Sequence, residues 1–206
     1  MQPMQNVVFD MGGVLMDWDP VKISQALCDN ADDAALLAHE VFDSREWGWV
    51  DAGAIEPETV AWTAKLRLPE RLHDLADVFA LRWYEVFEPL PAMGDLVREL
   101  KDAGYGVYLL SNAGPTFADY RSRIPAIDVF DGVVVSCWEH AVKPDAAIYR
   151  LFCERYGLEP ATCLFIDDLE RNVVGARRIG MQGYVYDGDV DALRRFILAQ
   201  EAEGAR

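Results

Sequence analysis

Positive charge is scarce in this chain. Its 206 residues hold 19 Lys and Arg against 35 Asp and Glu, a formal net charge of −16. Phosphate backbones need clustered basic side chains, so a broad nucleic-acid surface is excluded. One small anionic ligand is not excluded, because a lysine and a metal ion reverse the potential locally. Histidine is scarce too, and His39, His73 and His140 show no metal-ligand pairing. The four cysteines, Cys28, Cys137, Cys153 and Cys163, form no CxxC pair or zinc-like spacing and read as buried thiols. No uncharged run approaches the ~18 residues of a membrane span. No basic and then apolar leader pattern opens the chain. A cytoplasmic protein with no nucleic-acid or membrane partner is the expectation.

What is present falls into two textures. From about Ala92 onward, short apolar runs alternate with amphipathic stretches. "YGVYLLS" (105–111), "DGVVVS" (131–136), "TCLFID" (162–167) and "GYVYD" (183–187) read as buried strands. "GDLVRELKDAG", "DAAIYRLFCERYG" and "LERNVVGARRIG" read as helices that end in glycine. This alternation, with the opening run "VVFDMGGVL" (7–15), predicts an α/β fold with a Rossmann-like parallel sheet. Residues 17–91 lack comparable strands. They read as amphipathic helices, with Leu72, Leu75, Ala76, Phe79, Trp83 and Phe87 on one stripe of the run 71–87. The expectation is a core domain of residues 1–16 and 92–206, and an inserted helical cap domain of residues 17–91 on two linkers. The tail 201–206 is expected to fray.

In an open parallel sheet, ligands bind beyond the carboxyl ends of the strands. Those ends carry Asp10, Ser111–Asn112, Ser136 and Asp167–Asp168, with Lys143 following in "AVKPD". Carboxylates gathered at one edge repel each other unless a cation bridges them. Mg²⁺ suits such a site, because it takes oxygen ligands and needs only one or two protein carboxylates beside a phosphate.

With these segments placed, the chain resembles the haloacid dehalogenase superfamily, specifically its phosphatase-like members of subfamily I with a helical C1-type cap. The carriers are "VVFDMGGVL", "LLSN", "VKPDAAIY" and "LFIDDLERNVVGARRIGM", in the family's order. The resemblance implies a Mg²⁺-dependent phosphomonoester hydrolase working through an aspartyl-phosphate. Asp10 matches the nucleophile, Ser111 the phosphate-binding hydroxyl, and Lys143 the motif lysine. Asp167 and Asp168 match the acidic metal motif, with Asp10 and the Gly12 carbonyl as further ligands. Asp168 binds through water, orients Lys143, or caps the next helix. Asn112 joins Ser111 at the phosphate, and Asn172 is a candidate for holding the ligand residues in place.

One position departs from the pattern. Most phosphatases of this superfamily carry a second aspartate two residues after the nucleophile, as general acid and base. Here that place is Gly12. Asp17, or Glu46 from the cap, is the expected substitute if an acid reaches in. The run "SREWGWVDAGAIEPE" (44–58) reads as a substrate loop without helical period, with Arg45 and Trp47 facing substrate and Trp49 beside them. The expected partner is a small phosphorylated metabolite such as a sugar phosphate, and the protein is expected as a monomer or homodimer. Two rivals stand beside this reading. One is a metal-free 2-haloacid dehalogenase, against which the Asp167–Asp168 pair argues. The other is a catalytically weak or non-catalytic binding protein on the same scaffold.

Overall fold

A computed structural model of the chain describes residues 4–204, with side chains described as far as residue 200. Strand β1 is Asn6–Phe9, and all four of its side chains are buried. That burial explains the apolar run 7–9, because helices cover both faces of a parallel sheet. The other strands are β2 (Gly106–Ser111), β3 (Gly132–Val135), β4 (Cys163–Asp167) and β5 (Gln182–Val185). All pairings are parallel, in the order β3-β2-β1-β4-β5. The strand order reverses between β1 and β4, which makes that gap the topological switch point. β5 differs from the buried strand expected of 183–187. It lies at the sheet edge with one neighbour, so Val185 is 39% exposed.

Strand parity sorts the two faces. Val7, Phe9, Leu109 and Ile166 enter one buried cluster. Val8, Leu110 and Phe165 enter the other, with Tyr149 and Phe152. The connecting helices are α6 (Pro91–Asp102), α7 (Phe117–Tyr120), α8 (Ser136–Glu139), α9 (Ala146–Tyr156), α10 (Glu170–Arg178) and α11 (Val190–Gly204). Of the tail expected to fray, 201–204 continues α11 and 205–206 lies outside the described residues.

Between β1 and α6 lie α1 (Pro20–Leu27), α2 (Ala31–Val41), α3 (Arg45–Asp51), α4 (Pro57–Lys65) and α5 (His73–Leu81). Proline opens α1, α4 and α6, where the first turn has no partner for its N–H. The helix expected over 71–87 breaks at Arg82, and a 3-10 turn covers Trp83–Val86. Arg123, distant in sequence, donates to the carbonyls of Tyr84 (2.5 Å) and Phe87 (2.6 Å). Carbonyls that leave the helix there are satisfied by tertiary structure. The chain enters and leaves this segment through two paired stretches. Asp17 N–H donates to Glu88 O (2.8 Å), and Leu90 N–H donates to Leu15 O (2.9 Å). Leu37, Phe79, Trp83 and Phe87 from the segment share a buried cluster with Phe9 and Ile166 of the sheet. The segment is therefore seated against the core by apolar contact. Among the described residues, no helix is long and apolar enough to cross a membrane.

Candidate active site

The switch point brings two carboxylates side by side. Phe9 pairs with Ile166, so Asp10 and Asp167 are the next residues on adjacent strands. Both follow the parity of Val8 and Phe165, toward the face covered by α9 and α10. Asp167 is fully buried and Asp10 nearly so. Carboxylate oxygens of Asp10, Asp167 and Asp168 lie within 4.8 Å of one another. Burial pushes the Asp10 carboxyl up to about 8, against the lowering pull of Lys143 and with the help of Asp167. Burial, and then Asp167, also raises Asp168.

Lys143 binds this cluster directly. Its Nζ lies 2.8 Å from Asp10 Oδ1 and 2.7 Å from Asp167 Oδ2, and its side chain is fully buried. Burial works against the ammonium charge, but the two carboxylates outweigh it and raise the pKa of Lys143. The ammonium also sits 5.3 Å over the Phe165 ring. Asn112 fixes the loop that carries the lysine: its Nδ2 donates to Lys143 O (3.0 Å) and its Oδ1 accepts from Lys143 N–H (2.9 Å). On α10, Asn172 Nδ2 donates to both Asp167 oxygens at 3.0 Å. Leu169 N–H donates to Asp167 Oδ1 (2.9 Å), and Met11 N–H to Asp10 Oδ1 (2.6 Å). One ammonium among three carboxyl groups does not support all three as buried anions, and Asp10 and Asp168 are accordingly pushed toward their neutral forms unless a further cation enters.

Among the described residues, two buried side-chain polar atoms lack a partner: Ser111 Oγ and Asn172 Oδ1. Buried polar atoms are rarely left so, which makes a ligand-facing site the natural place for them. Ser111 ends β2, the neighbour of β1, and it does not itself line the cavity. Ser136 does something else. Its Oγ donates to Asp51 O (2.5 Å) and accepts from Ala113 N–H (3.0 Å), tying the end of α3 to the core.

A cavity of about 350 Å³ opens over these groups. Its floor includes Asp10, Gly12, Asn112, Lys143 and Asp168, and exposed Arg171 stands at its rim. Its roof is mostly apolar and comes from the helical segment: Trp18, Phe42, Trp47, Val60 and Trp83. Trp18 and Trp47 stack at 6.1 Å, and Phe42 meets Trp47 edge-on at 4.9 Å. Trp18 also crowds Gly12. A Cβ at Gly12 would lie 3.2 Å from Trp18 Cβ, so a side chain there requires Trp18 to give way by a few tenths of an ångström.

Residues 44–58 are not the expected loop. Ser44 Oγ caps α3 by accepting from Trp47 N–H (3.1 Å), and the helix runs to Asp51 despite Gly48. Trp47 lines the cavity; Arg45 is exposed and does not, and Trp49 is 51% exposed. The two acids expected to stand in at Gly12 are engaged elsewhere. Asp17 pairs with Lys22 at 2.5 Å and Glu46 with Arg67 at 3.3 Å, and neither lines the cavity. Asp51 does line it, and it escaped the sequence reading. The signal was there once a helix is allowed: Trp47, Val50 and Asp51 stand three and four apart on one face.

A family model for haloacid dehalogenase-like hydrolases matches residues 4–180. The sesquiterpene phosphatase astK of Aspergillus oryzae is 29% identical over 177 residues, covering 85% of this chain and 86% of the relative. The (S)-2-haloacid dehalogenase 4A of Burkholderia cepacia is 24% identical over 187 residues, covering 84% and 78%. Among solved structures, the HAD family enzyme bt-2542 of Bacteroides thetaiotaomicron, in complex with magnesium and inorganic phosphate, is 21% identical. It superposes with a TM-score of 0.67 over 92% of this chain and 98% of that one.

Proposed function

Because the chain belongs to the haloacid dehalogenase-like hydrolases, a phosphatase or dehalogenase-type hydrolase, we propose that it is a Mg²⁺-dependent phosphomonoester hydrolase. The observation that carries this is the convergence of Asp10, Asp167 and Asp168 within 4.8 Å, with one ammonium shared by the first two. A divalent cation balances that charge, and the oxygen-only donor set suits Mg²⁺. Asp10, Asp167, Asp168 and the Gly12 carbonyl are the ligands in this reading. When bound, the ion would offset charge on the transferring phosphoryl group. A metal-free dehalogenase has little use for the third carboxylate.

The chain's own residues supply the rest. Asp10 attacks phosphorus and forms an aspartyl-phosphate, which water hydrolyses. Lys143 orients the Asp10 carboxylate and stabilises phosphoryl charge. In this reading the orphaned Ser111 hydroxyl donates to a phosphoryl oxygen after turning toward the cavity, and Asn112 holds Lys143 in place. Residues 17–91 act as the cap that closes the cavity and selects the substrate. The protein acts in the cytoplasm on a small phosphorylated metabolite.

The aromatic side of the cavity also suits an apolar ester, beside the sugar phosphate expected from sequence. Buried sugar hydroxyls need partners, and aromatic rings offer few. A hydrocarbon group would instead bury apolar area against Trp18, Phe42, Trp47 and Trp83. The sesquiterpene phosphatase relative supports the same direction.

The test is a panel of alkyl and prenyl phosphates, sugar 1-phosphates and a 2-haloacid, assayed with and without Mg²⁺. Phosphate release should require Mg²⁺ and be fastest for the apolar esters. Mg²⁺ at 100 times its Kd should also raise the unfolding free energy by about 2.7 kcal/mol, an effect visible without turnover. Asp10→Asn should stay folded and lose turnover. Halide release without Mg²⁺ would overturn the reading.

A further inference from the structure

In-line displacement by Asp10 drives the leaving oxygen away from the end of β1 and into the cavity. An alkoxide is a poor leaving group and needs a proton there. Gly12 carries no acid, and a Cβ there would already press on Trp18. Three carboxylates line the cavity: Asp10, Asp51 and Asp168. Asp10 is the attacking group and Asp168 belongs to the charged cluster below it, which leaves Asp51. Its side chain makes no hydrogen bond or ion pair among the described residues, so its proton is not committed elsewhere.

Resting on the phosphatase reading above, we propose that Asp51, the last residue of α3, is the general acid and base that substitutes for the carboxylate missing at position 12. Its backbone is held for that task. Ser136 Oγ donates to Asp51 O at 2.5 Å. Two residues on, Gly53 packs so closely on α8 that a Cβ would lie 2.1 Å from Cys137 O. The end of α3 is therefore fixed on the core rather than hanging from the helical segment.

The steps balance. Asp10 Oδ bonds to phosphorus, the ester P–O bond breaks, and the Asp51 carboxyl gives its proton to the departing alkoxide. The Asp51 carboxylate then takes a proton from the water that attacks the aspartyl-phosphate. The P–Oδ bond breaks, phosphate leaves, and Asp51 is again protonated. Burial raises the Asp51 carboxyl to about 7 against the lowering influence of Lys143, so both forms are present near neutrality. The other titratable groups facing it, Tyr120 on α7 and Cys137 on α8, are both pushed up by burial and by Asp51 itself. Both therefore stay neutral as it titrates.

The experiment compares the wild-type protein with Asp51→Asn, with Mg²⁺ present, on n-octyl phosphate and p-nitrophenyl phosphate. The variant should lose about 10²–10⁴-fold in kcat/KM on the octyl ester. On the nitrophenyl ester, whose leaving group needs no proton, it should release a burst of nitrophenolate and then turn over slowly. The burst itself reports a folded site with a working nucleophile. Asp51→Glu, which keeps a carboxyl, should recover part of the octyl activity. An equal loss on both esters with no burst would overturn the assignment alone, as would an unchanged rate on the octyl ester. Wild-type protein inert toward both esters would overturn the phosphatase reading and this assignment with it.

Discussion

At Gly13 the backbone φ is +71°, and a Cβ there would lie 2.6 Å from the Asp168 carboxylate. A side chain at this position meets strain and a functional group at once. Gly13→Ala should therefore cost about 1–3 kcal/mol, read from urea unfolding. It should also weaken the stabilisation expected from Mg²⁺, because Asp168 must move. Gly12→Ala is the milder comparison, because its Cβ meets Trp18 at 3.2 Å without the positive φ. The two glycines of "VVFDMGGVL" thus serve different ends. One gives way to an acid of the site, and the other to a tryptophan of its roof. The sequence showed two glycines after an acid and could not show which neighbour each accommodates.

Helix α3 shows how an element can be misread while its residues are noticed. Gly48 and the mixed charge of 44–51 hide its period, so the sequence marks Trp47 as an aromatic but does not mark Asp51. The Ser44 cap and the packing of Val50 against Gly114 restore the helix. Its position on the core depends on Ser136 Oγ, which satisfies both Asp51 O and Ala113 N–H. Ser136→Ala leaves that buried amide without its acceptor and should cost about 1–3 kcal/mol. Amide exchange should rise along α3 more than along β1, and turnover should fall because Asp51 and Trp47 lose their registration with Asp10. An unchanged exchange rate in α3 would show that the hydroxyl does not hold it.

For the molecule as a whole, the raised carboxyls set a direction for stability with pH. Asp51 titrates at about 7 in the folded chain and near ~3.9 when unfolded. Between those values the folded state holds the proton that the unfolded state has lost. Unfolding free energy therefore falls as pH rises from about 4 to about 7, and this contribution then levels off. In the presence of a chelator, wild-type protein should have a lower urea midpoint at pH 8 than at pH 5. Asp51→Asn should flatten part of that difference and be the more stable of the two at pH 8. Asp10, raised to about 8, acts in the same direction, so the slope will not vanish entirely.

The sequence by itself determined the alternation of apolar strands and glycine-ended helices, and with it the parallel sheet. It also marked Asp10, Asp167 and Asp168, because strand ends in such a sheet face one crevice, and Lys143 through the motif that follows β3. These are local signals, carried by period and by residue type at a boundary. Only the tertiary structure decided what surrounds those residues. It placed Trp18 in the space above Gly12, left Arg45 in solvent, and paired Asp17 and Glu46 with basic partners. It brought Asp51, 41 positions after Asp10 in the chain, to the same cavity. The physical reason is that such contacts depend on how the helical segment docks on the sheet. That docking is set by dispersed apolar packing and by single hydrogen bonds such as that of Ser136, which leave no periodic mark in the chain.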